Sequence, residues 1–174
     1  MTADELARLS LPNKRTELIR GVLVVREPAG FRHGAIAATL ARLLGAFVHE
    51  QGLGMVVAAE TGFKLETDPD TVRAPDVGFV RRERVPSPLP TGYAAFPPDL
   101  AVEVLSPDDR PGEVLAKVAD WLRAGCELVW VVDPDRRIAR VYRADGTESL
   151  VSANETLEGE GVLPGFSSRL EDIL

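Results

Sequence analysis

A carboxylate interrupts an otherwise apolar segment in the second half of the chain. Glu103 lies within the run Leu100-Ala101-Val102-Glu103-Val104-Leu105, which reads as an interior strand. A carboxylate inside such a strand loses its hydration unless a cation or hydrogen-bond donors compensate for it. Glu103 is therefore expected to serve a functional site, with a structural acid paired to an arginine as the alternative.

A second acid, Asp76, heads the strand pattern that runs from Pro75 to Val80. Its neighbours on the same face of the strand are Ala74 and Gly78, which leave space around the carboxylate. Two carboxylates on neighbouring strands, beside side chains too small to fill the gap, suit a dication that prefers oxygen ligands, such as Mg²⁺. We predict a metal site at Asp76 and Glu103; the alternative for Asp76 is an acid at a strand entry or turn.

The third candidate, Lys117, follows on a helical segment. It falls on the flank of an apolar stripe formed by Val114, Leu115, Val118 and Leu122. From the flank, its ammonium could lie beside a metal-bound phosphate or an attacking water. The alternative is an exposed lysine paired with Glu113, one turn earlier on the same helix.

The elements that must position these side chains can be read from periodicity and turn signals. The predicted helices are one that follows the capping box Thr2-Ala3-Asp4-Glu5 to about Leu9, one from Phe31 to Glu50, and one opened by Pro107 and Pro111 that ends near Ala124. The predicted strands lie at 16–25, with a turn at Arg20-Gly21, and at 55–65, 75–80, 100–105, 128–133 and 137–143, with another after Asp145-Gly146. The proline-rich stretch 84–98 is predicted to be a long loop. Because hairpins and a crossover both occur, we expect a mixed α/β (α+β) fold whose sheet packs against helices.

Composition narrows the class of protein. The chain has 174 residues, a net charge of -7, and hydrophobic and charged fractions of 45% and 27%, which favour one globular domain over residues 1–174 and argue against disorder. The acidic balance argues against a global nucleic-acid-binding surface. Local basic clusters keep a brief or dimeric contact with nucleic acid open; they are Arg73, the group Arg81, Arg82 and Arg84, and the group Arg136, Arg137, Arg140 and Arg143.

The sequence also limits where in the cell the protein is expected and which chemistry its cysteine can support. The apolar run Leu128 to Val132 is far short of the roughly 20 apolar residues that a membrane span requires. The acidic start of the chain, Met1-Thr2-Ala3-Asp4-Glu5, is unlike a secretory or mitochondrial leader, so a cytoplasmic location is expected. Cys126 is the one cysteine, which excludes an internal disulfide and a thiolate zinc cluster and favours a buried apolar role.

Several segments together resemble a known family. They are Glu17-Leu18-Ile19-Arg20-Gly21, His33, Arg73-Ala74-Pro75-Asp76-Val77, Leu100 through Pro107, Lys117, Gly125 through Pro134, and Leu163-Pro164-Gly165-Phe166. This set resembles the bacterial Uma-two family of restriction-endonuclease-like proteins, in the PD-(D/E)XK nuclease superfamily. The resemblance implies a restriction-endonuclease-like mixed β-sheet flanked by helices, with additional strands near both ends, and magnesium-dependent phosphodiester cleavage.

The resemblance also assigns roles to the acids and the lysine. Asp76 corresponds to the metal-binding Asp of the motif and Glu103 to its second acid, and the backbone carbonyl of Val104 is expected to be a further metal ligand. Leu105 stands where the standard motif has Lys. The resemblance therefore implies that Lys117, from the following helix, replaces that lysine.

Further positions correspond to the substrate side of the site. Glu17 resembles an extra acid of some superfamily members, with an ordinary exposed or paired acid as its alternative. His33 either faces the cleft or caps its helix, and Arg73 is expected to contact substrate. Trp121 stands where the family commonly has Tyr, which implies the loss of a hydrogen bond there.

These features lead to one hypothesis and two alternatives. The hypothesis is a nuclease that binds DNA transiently and uses Mg²⁺, with Mn²⁺ as an alternative ion, and acts as a homodimer. The first alternative is a catalytically silent nuclease fold that serves as an interaction or dimerisation module. The second is hydrolysis of a small phosphorylated molecule at the same site.

Overall fold

The computed structural model describes residues 1–174 as three α-helices and twelve β-strands. The helices are α1 (Ala3–Arg8), α2 (Phe31–Gln51) and α3 (Pro111–Arg123). The strands are β1 (Arg15–Ile19), β2 (Val22–Arg26), β3 (Gly54–Ala58), β4 (Phe63–Glu66), β5 (Thr71–Arg73), β6 (Val77–Arg81), β7 (Leu100–Val104), β8 (Leu128–Asp133), β9 (Ile138–Arg143), β10 (Glu148–Ser152), β11 (Thr156–Glu158) and β12 (Ser167–Arg169). None of the helices has the length and apolar character needed to cross a membrane.

The central feature is a six-stranded mixed sheet. Its strand order is β10-β9-β8-β7-β6-β3. Strands β7 and β8 run parallel and are joined through α3, whereas the other neighbouring pairs are antiparallel. The expectation of a mixed sheet with both hairpins and a crossover is confirmed.

Helices cover both faces of this sheet. Alternate residues of β7 point to opposite faces, so that Val102 belongs to the core beneath α2, whereas Ala101 belongs to the core beneath α3. Burial of these two apolar faces is the main stabilising contribution to the layered arrangement. Glu103 is two positions after Ala101, on the same face of β7, and therefore lies on the α3 side.

A second, smaller sheet lies near the part of the central sheet that carries Glu103. Its strand order is β2-β1-β5-β4. The turn between β1 and β2 places Arg20 and Gly21 at φ values of 46° and 78°, the left-handed pair that a tight two-residue hairpin requires. Strand β1 carries Glu17, and α1 covers the sheet through Leu6. The capping box predicted for α1 is confirmed, because Thr2 accepts from the Glu5 amide and Glu5 accepts from the Thr2 amide.

The prediction of continuous strand over 55–65 is wrong. The segment divides into β3 and β4, which belong to different sheets. Gly62 lies at the division, where a Cβ would stand 2.3 Å from a ring carbon of Tyr93, so the loop that carries Tyr93 packs directly on the backbone. Strand β5 was not predicted, because three residues are too few to show a period.

Candidate active site

Asp76 is held at the start of β6 by the neighbouring strand. The ladder pairs Val77 with Val102, and the Asp76 amide donates to the Val102 carbonyl at 3.0 Å. The Asp76 side chain accepts at Oδ2 from the Val104 amide at 2.7 Å. Asp76 is thereby fixed against the strand that carries Glu103, rather than being a free turn acid.

His33 also contacts Asp76. The side chain comes from the first turn of α2, and its Nε2 lies 3.1 Å from Asp76 Oδ2. The hydrogen bond with Asp76 raises the pKa of His33, in spite of burial, which acts in the opposite direction. The alternative role as a helix cap is wrong, because Gly30 is the N-cap residue of α2. His33 instead lines the pocket that contains Asp76.

Glu103 is buried and receives one donor on each oxygen. Its Oε2 lies 2.8 Å from Nζ of Lys117, and its Oε1 accepts from Nε1 of Trp121, also at 2.8 Å. Burial raises the pKa of Glu103 to about 7; the charge of Asp76 adds to this effect, and Lys117 opposes it. The alternative of an arginine partner is wrong. So is the expectation that Trp121 removes a hydrogen bond, because the indole N–H supplies the donor.

Lys117 reaches the acids across the space between α3 and the sheet. Its Nζ lies 2.8 Å from Glu103 Oε2, 3.0 Å from the Ala74 carbonyl and 3.2 Å from Glu17 Oε1. The contacts with Glu103 and the Ala74 carbonyl are hydrogen bonds, and the contact with Glu17 is an ion pair. Burial disfavours the charge, but Glu103, Glu17 and Asp76 outweigh it and raise the pKa of Lys117, which remains an ammonium ion.

The alternative pairing of Lys117 with Glu113 does not form. Glu113 instead contacts Arg26 of β2, with 3.1 Å between Nη2 and the carboxylate. The helix therefore presents Lys117 to the sheet and Glu113 to the β1-β2 hairpin.

Glu17 links the lysine to a buried arginine. Its Oε1 accepts from the Ala74 amide at 3.1 Å, and its Oε2 accepts from Arg73 Nη1 at 3.0 Å. Burial disfavours the Glu17 carboxylate, but Lys117, Arg73 and the Ala74 amide together lower its pKa. Glu17 is thus a buried, paired acid, and it lines the pocket.

Arg73 lies behind the pocket and not in its lining. The side chain is 3% exposed, and its Nε and Nη2 donate to Asp120 Oδ2 at 3.0 and 2.6 Å while Nη1 binds Glu17. These contacts leave no guanidinium edge for a phosphate, so the predicted substrate contact of Arg73 does not fit the structure. Asp120 was not predicted from the sequence. The signal that could have identified it is its position three residues after Lys117, on the same flank of α3.

The pocket that these side chains enclose is small and acidic. Its volume is about 80 Å³. Six carboxylates line it against three cationic side chains; the acids are Glu17, Glu60, Asp76, Glu103, Asp109 and Glu113, and the cations are Arg15, Arg26 and Lys117. A pocket of this charge attracts cations and opposes phosphate unless a cation is bound.

Comparison with known proteins identifies a family and a similar fold. A family model, Uma2, described as "Putative restriction endonuclease", matches residues 3–171. The chain belongs to the Uma2 family. The Uma2 chain is also similar to a solved structure from Anabaena variabilis, described as "a putative nuclease belonging to DUF820", with a TM-score of 0.86, 21% identity, and coverage of 99% of this chain and 97% of that one. A comparison with curated proteins found no match.

These findings establish the family and the fold of the Uma2 chain. The family match confirms the resemblance found in the sequence, and the structural match confirms the nuclease fold. Together they support a nuclease-like function.

The donor set of the Uma2 pocket fits a dication that prefers oxygen. Both protein hydrogen bonds of Asp76 go to Oδ2, which leaves Oδ1 without a protein partner. Glu103 accepts one bond on each oxygen and keeps further lone pairs, and Val104 also lines the pocket. No group of three or more His, Cys, Asp or Glu side chains forms a complete protein cage. Mg²⁺ is commonly held by one or two carboxylates together with water and phosphate oxygens, so this smaller set is sufficient.

Proposed function

We propose that the chain is a magnesium-dependent endonuclease that hydrolyses phosphodiester bonds in DNA, with Mn²⁺ as an alternative ion. The observation that supports this function is the convergence of Asp76, Glu103 and Lys117 on one acidic pocket. Each side chain comes from a different element, and each is held by further hydrogen bonds. Such preorganisation is what phosphoryl-transfer chemistry requires from a protein.

The two carboxylates and the Val104 carbonyl would hold the metal ion. When bound, Mg²⁺ supplies Lewis-acid charge on the phosphate and lowers the pKa of a coordinated water. The Val104 amide and His33 hold the Asp76 carboxylate through Oδ2, which leaves Oδ1 available to the metal ion. Trp121 and Lys117 hold both oxygens of Glu103 in the same way.

Lys117 contributes charge and position rather than base catalysis. Its pKa is raised, so it carries no free electron pair to accept a proton. Its positive charge lies beside the carboxylates, where it favours an anionic phosphate. Glu17 and the Ala74 carbonyl keep the ammonium in place.

The decisive experiment is a cleavage assay on purified protein. Plasmid and oligonucleotide DNA would be incubated with Mg²⁺, Mn²⁺ or a chelator. We expect metal-dependent cutting by the wild type and a loss of at least about a thousandfold in Asp76→Asn and Glu103→Gln. Undiminished cutting by either variant would remove these assignments.

Matched controls separate chemistry from folding. Asp133→Asn and Glu127→Gln make the same substitutions outside the pocket, on β8 and just before it. Both variants should retain the wild-type rate, because neither carboxylate reaches the pocket. Circular dichroism would establish that all four variants are folded.

A catalytically silent fold is the second candidate function. One observation favours it: Glu103 already accepts a hydrogen bond on each oxygen, and Lys117 already pairs with Glu103 and Glu17 within the protein. Calorimetric titration of Mn²⁺ distinguishes the two candidates. A silent module predicts no binding heat and no difference between the wild type and Glu103→Gln, whereas the nuclease predicts binding that the substitution abolishes.

A further inference from the structure

The most exposed large apolar side chain of the protein lies beside the candidate active site. Phe31 is 96% exposed, compared with 65% for Val22, the next most exposed large apolar residue. It is the first residue of α2, two positions before His33, which contacts Asp76. Full exposure of an aromatic ring forfeits the free energy of burial, and a ligand that stacks on the ring would recover it.

A second concavity connects Phe31 with the acidic pocket. Its volume is about 620 Å³, and Phe31 and Arg32 are part of its lining. It shares six lining residues with the acidic pocket: Arg15, Arg26, His33, Leu105, Ser106 and Asp109. The two concavities are therefore adjacent, so one DNA strand is long enough to contact both.

The charges along this path are almost balanced. Arg15, Arg26 and Arg32 supply positive charge, and Glu27, Asp108, Asp109 and Asp135 supply negative charge. Arg26 and Arg32 already pair with Glu113 at 3.1 Å and Asp135 at 2.8 Å. A phosphate backbone would gain little from charge alone here, so the aromatic ring is the group that can provide affinity.

We propose that Phe31 is a stacking platform for a nucleobase of an unpaired DNA strand whose phosphate enters the acidic pocket. The inference rests on the proposed nuclease function for the identity of its ligand. Inside a duplex, each base face is covered by its neighbours and costs free energy to uncover, so a protein ring stacks most readily on a base of an unpaired strand. The pocket also favours a flexible strand, because Asp76 and Glu103 are 8% and 7% exposed and a stiff duplex cannot bend into it.

Oligonucleotide binding tests the stacking role without depending on cleavage. Fluorescence anisotropy would be measured in Mg²⁺, because the acidic pocket opposes phosphate when no cation is bound. The probes would be phosphorothioate oligonucleotides, which resist cleavage: a labelled single strand, a duplex of the same sequence, and a duplex with an unpaired flap. Phe31→Ala should weaken binding of the single strand and the flap about 5- to 150-fold, as loss of one stacked base does, whereas Phe31→Trp should restore it. Leu150→Ala is the matched control, because Leu150 is 51% exposed and lies on the edge strand β10, outside both concavities.

A spectroscopic readout distinguishes stacking from a loss of general affinity. An oligonucleotide that carries 2-aminopurine changes its fluorescence when this base stacks on an aromatic ring. The change should occur with the wild type and with Phe31→Trp and be absent with Phe31→Ala. Because few phosphates are bound, the affinity should also vary only weakly with salt.

Three results would overturn the inference. They are equal affinity of Phe31→Ala and the wild type for the single strand, duplex binding as tight as single-strand binding, and a Phe31→Ala variant that converts a dimer to a monomer with no change in oligonucleotide binding. The last result would assign Phe31 to a contact with a second copy. Binding that depends on Phe31 without any cleavage in Mg²⁺ or Mn²⁺ would support the inference and overturn the proposed nuclease activity.

Discussion

The ammonium of Lys117 lies 2.8 Å from Oε2 of Glu103, although the two residues are 14 positions apart on a helix and a strand. The residue two positions after Glu103 is Leu105, just beyond the end of β7, so the lysine reaches this carboxylate from outside the strand. The same ammonium contacts Glu17 of the smaller sheet at 3.2 Å. One cation thus joins elements from three parts of the fold.

At low pH, replacement of Lys117 is expected to lower the cleavage rate by a larger factor than it lowers the stability of the folded protein. Lys117→Met should reduce the cleavage rate about a hundredfold or more, because a preorganised charge is removed from the site of phosphate transfer. It should also raise the pKa of Glu103 further, which would appear as a displaced pH profile. Lys64→Met is the control, since Lys64 pairs with Asp70 outside the pocket; an equal loss in that variant would contradict a specific role for Lys117.

The stability of the metal-free protein should decrease as pH rises through the titration of Glu103. The folded pKa of about 7 exceeds the ordinary value of 4.5, so between these values the folded state binds the proton more tightly than the unfolded state. The contribution of Glu103 to the free energy of unfolding is therefore largest below pH 4.5 and falls as pH approaches 7. Urea unfolding in chelator at pH 5 and pH 8 would measure it.

Two variants isolate the contribution of Glu103 to this pH dependence. Glu103→Gln should flatten the dependence relative to the wild type. Glu127→Gln should leave the dependence between pH 5 and pH 8 unchanged, because a hydrogen bond from Arg81 lowers the pKa of Glu127, so its stabilising contribution is lost only at pH values below 4.5. A wild type and Glu103→Gln with identical pH dependence would rule out the raised pKa.

The indole N–H of Trp121 should stabilise the ionised form of Glu103. Trp121→Phe keeps an aromatic ring against Phe63, whose centroid lies 6.0 Å away, but removes the donor to Glu103. At pH 8 we expect the free energy of unfolding to fall by about 1.5–3 kcal/mol, because a hydrogen bond to a charged group is lost. It should fall further because the phenyl ring is smaller than the indole. Urea unfolding would measure the loss.

Trp130→Phe is the matched control for that experiment. Trp130 is also fully buried, but it lies on the opposite face of the sheet and its Nε1 has no hydrogen-bond partner. This variant therefore loses packing without losing a hydrogen bond. Equal destabilisation by the two substitutions would show that the bond to Glu103 contributes nothing measurable.

Arg73 should be a structural residue whose loss destabilises the fold. Arg73→Met removes the buried cation that Glu17 and Asp120 share and leaves them with only Lys117 and Arg123 as partners; removal of one member of a buried ion pair typically costs about 3–5 kcal/mol. Arg140→Met removes an exposed arginine from β9 and should change stability by less than about 0.5 kcal/mol. Thermal and urea unfolding would compare them; a stable Arg73→Met protein that had lost only DNA affinity would restore the substrate role predicted from the sequence.

Cys126 should be unreactive in the folded protein. Burial raises the pKa of its thiol to about 12, and its Sγ donates to the Leu128 carbonyl at 3.2 Å. A thiol-specific reagent at pH 8 should therefore modify the protein only as fast as it unfolds. Rapid modification under native conditions would contradict this burial.

Most of the architecture could be predicted from local pattern. An apolar run identified the strand that contains Glu103, the helical period identified α2, and the capping box identified α1, because each signal depends on neighbours within a few residues. The division of 55–65 into β3 and β4 could not be predicted in this way, since it depends on Tyr93 packing over Gly62 from a distant loop. Strand β5 was missed for a related reason: it is stabilised by β1 and β4 and has no period of its own.

The sequence by itself determined which residues could be chemically active: a carboxylate in an apolar strand, an acid beside small neighbours, and a lysine on the flank of a helix. The tertiary structure decided how they combine. It directed Lys117 to Glu103 instead of Glu113, gave Trp121 a donor role, and placed Arg73 behind the pocket with Asp120. These outcomes depend on the rotation of α3 over the sheet and on the loss of solvent around each charge, and both arise only when distant elements pack together.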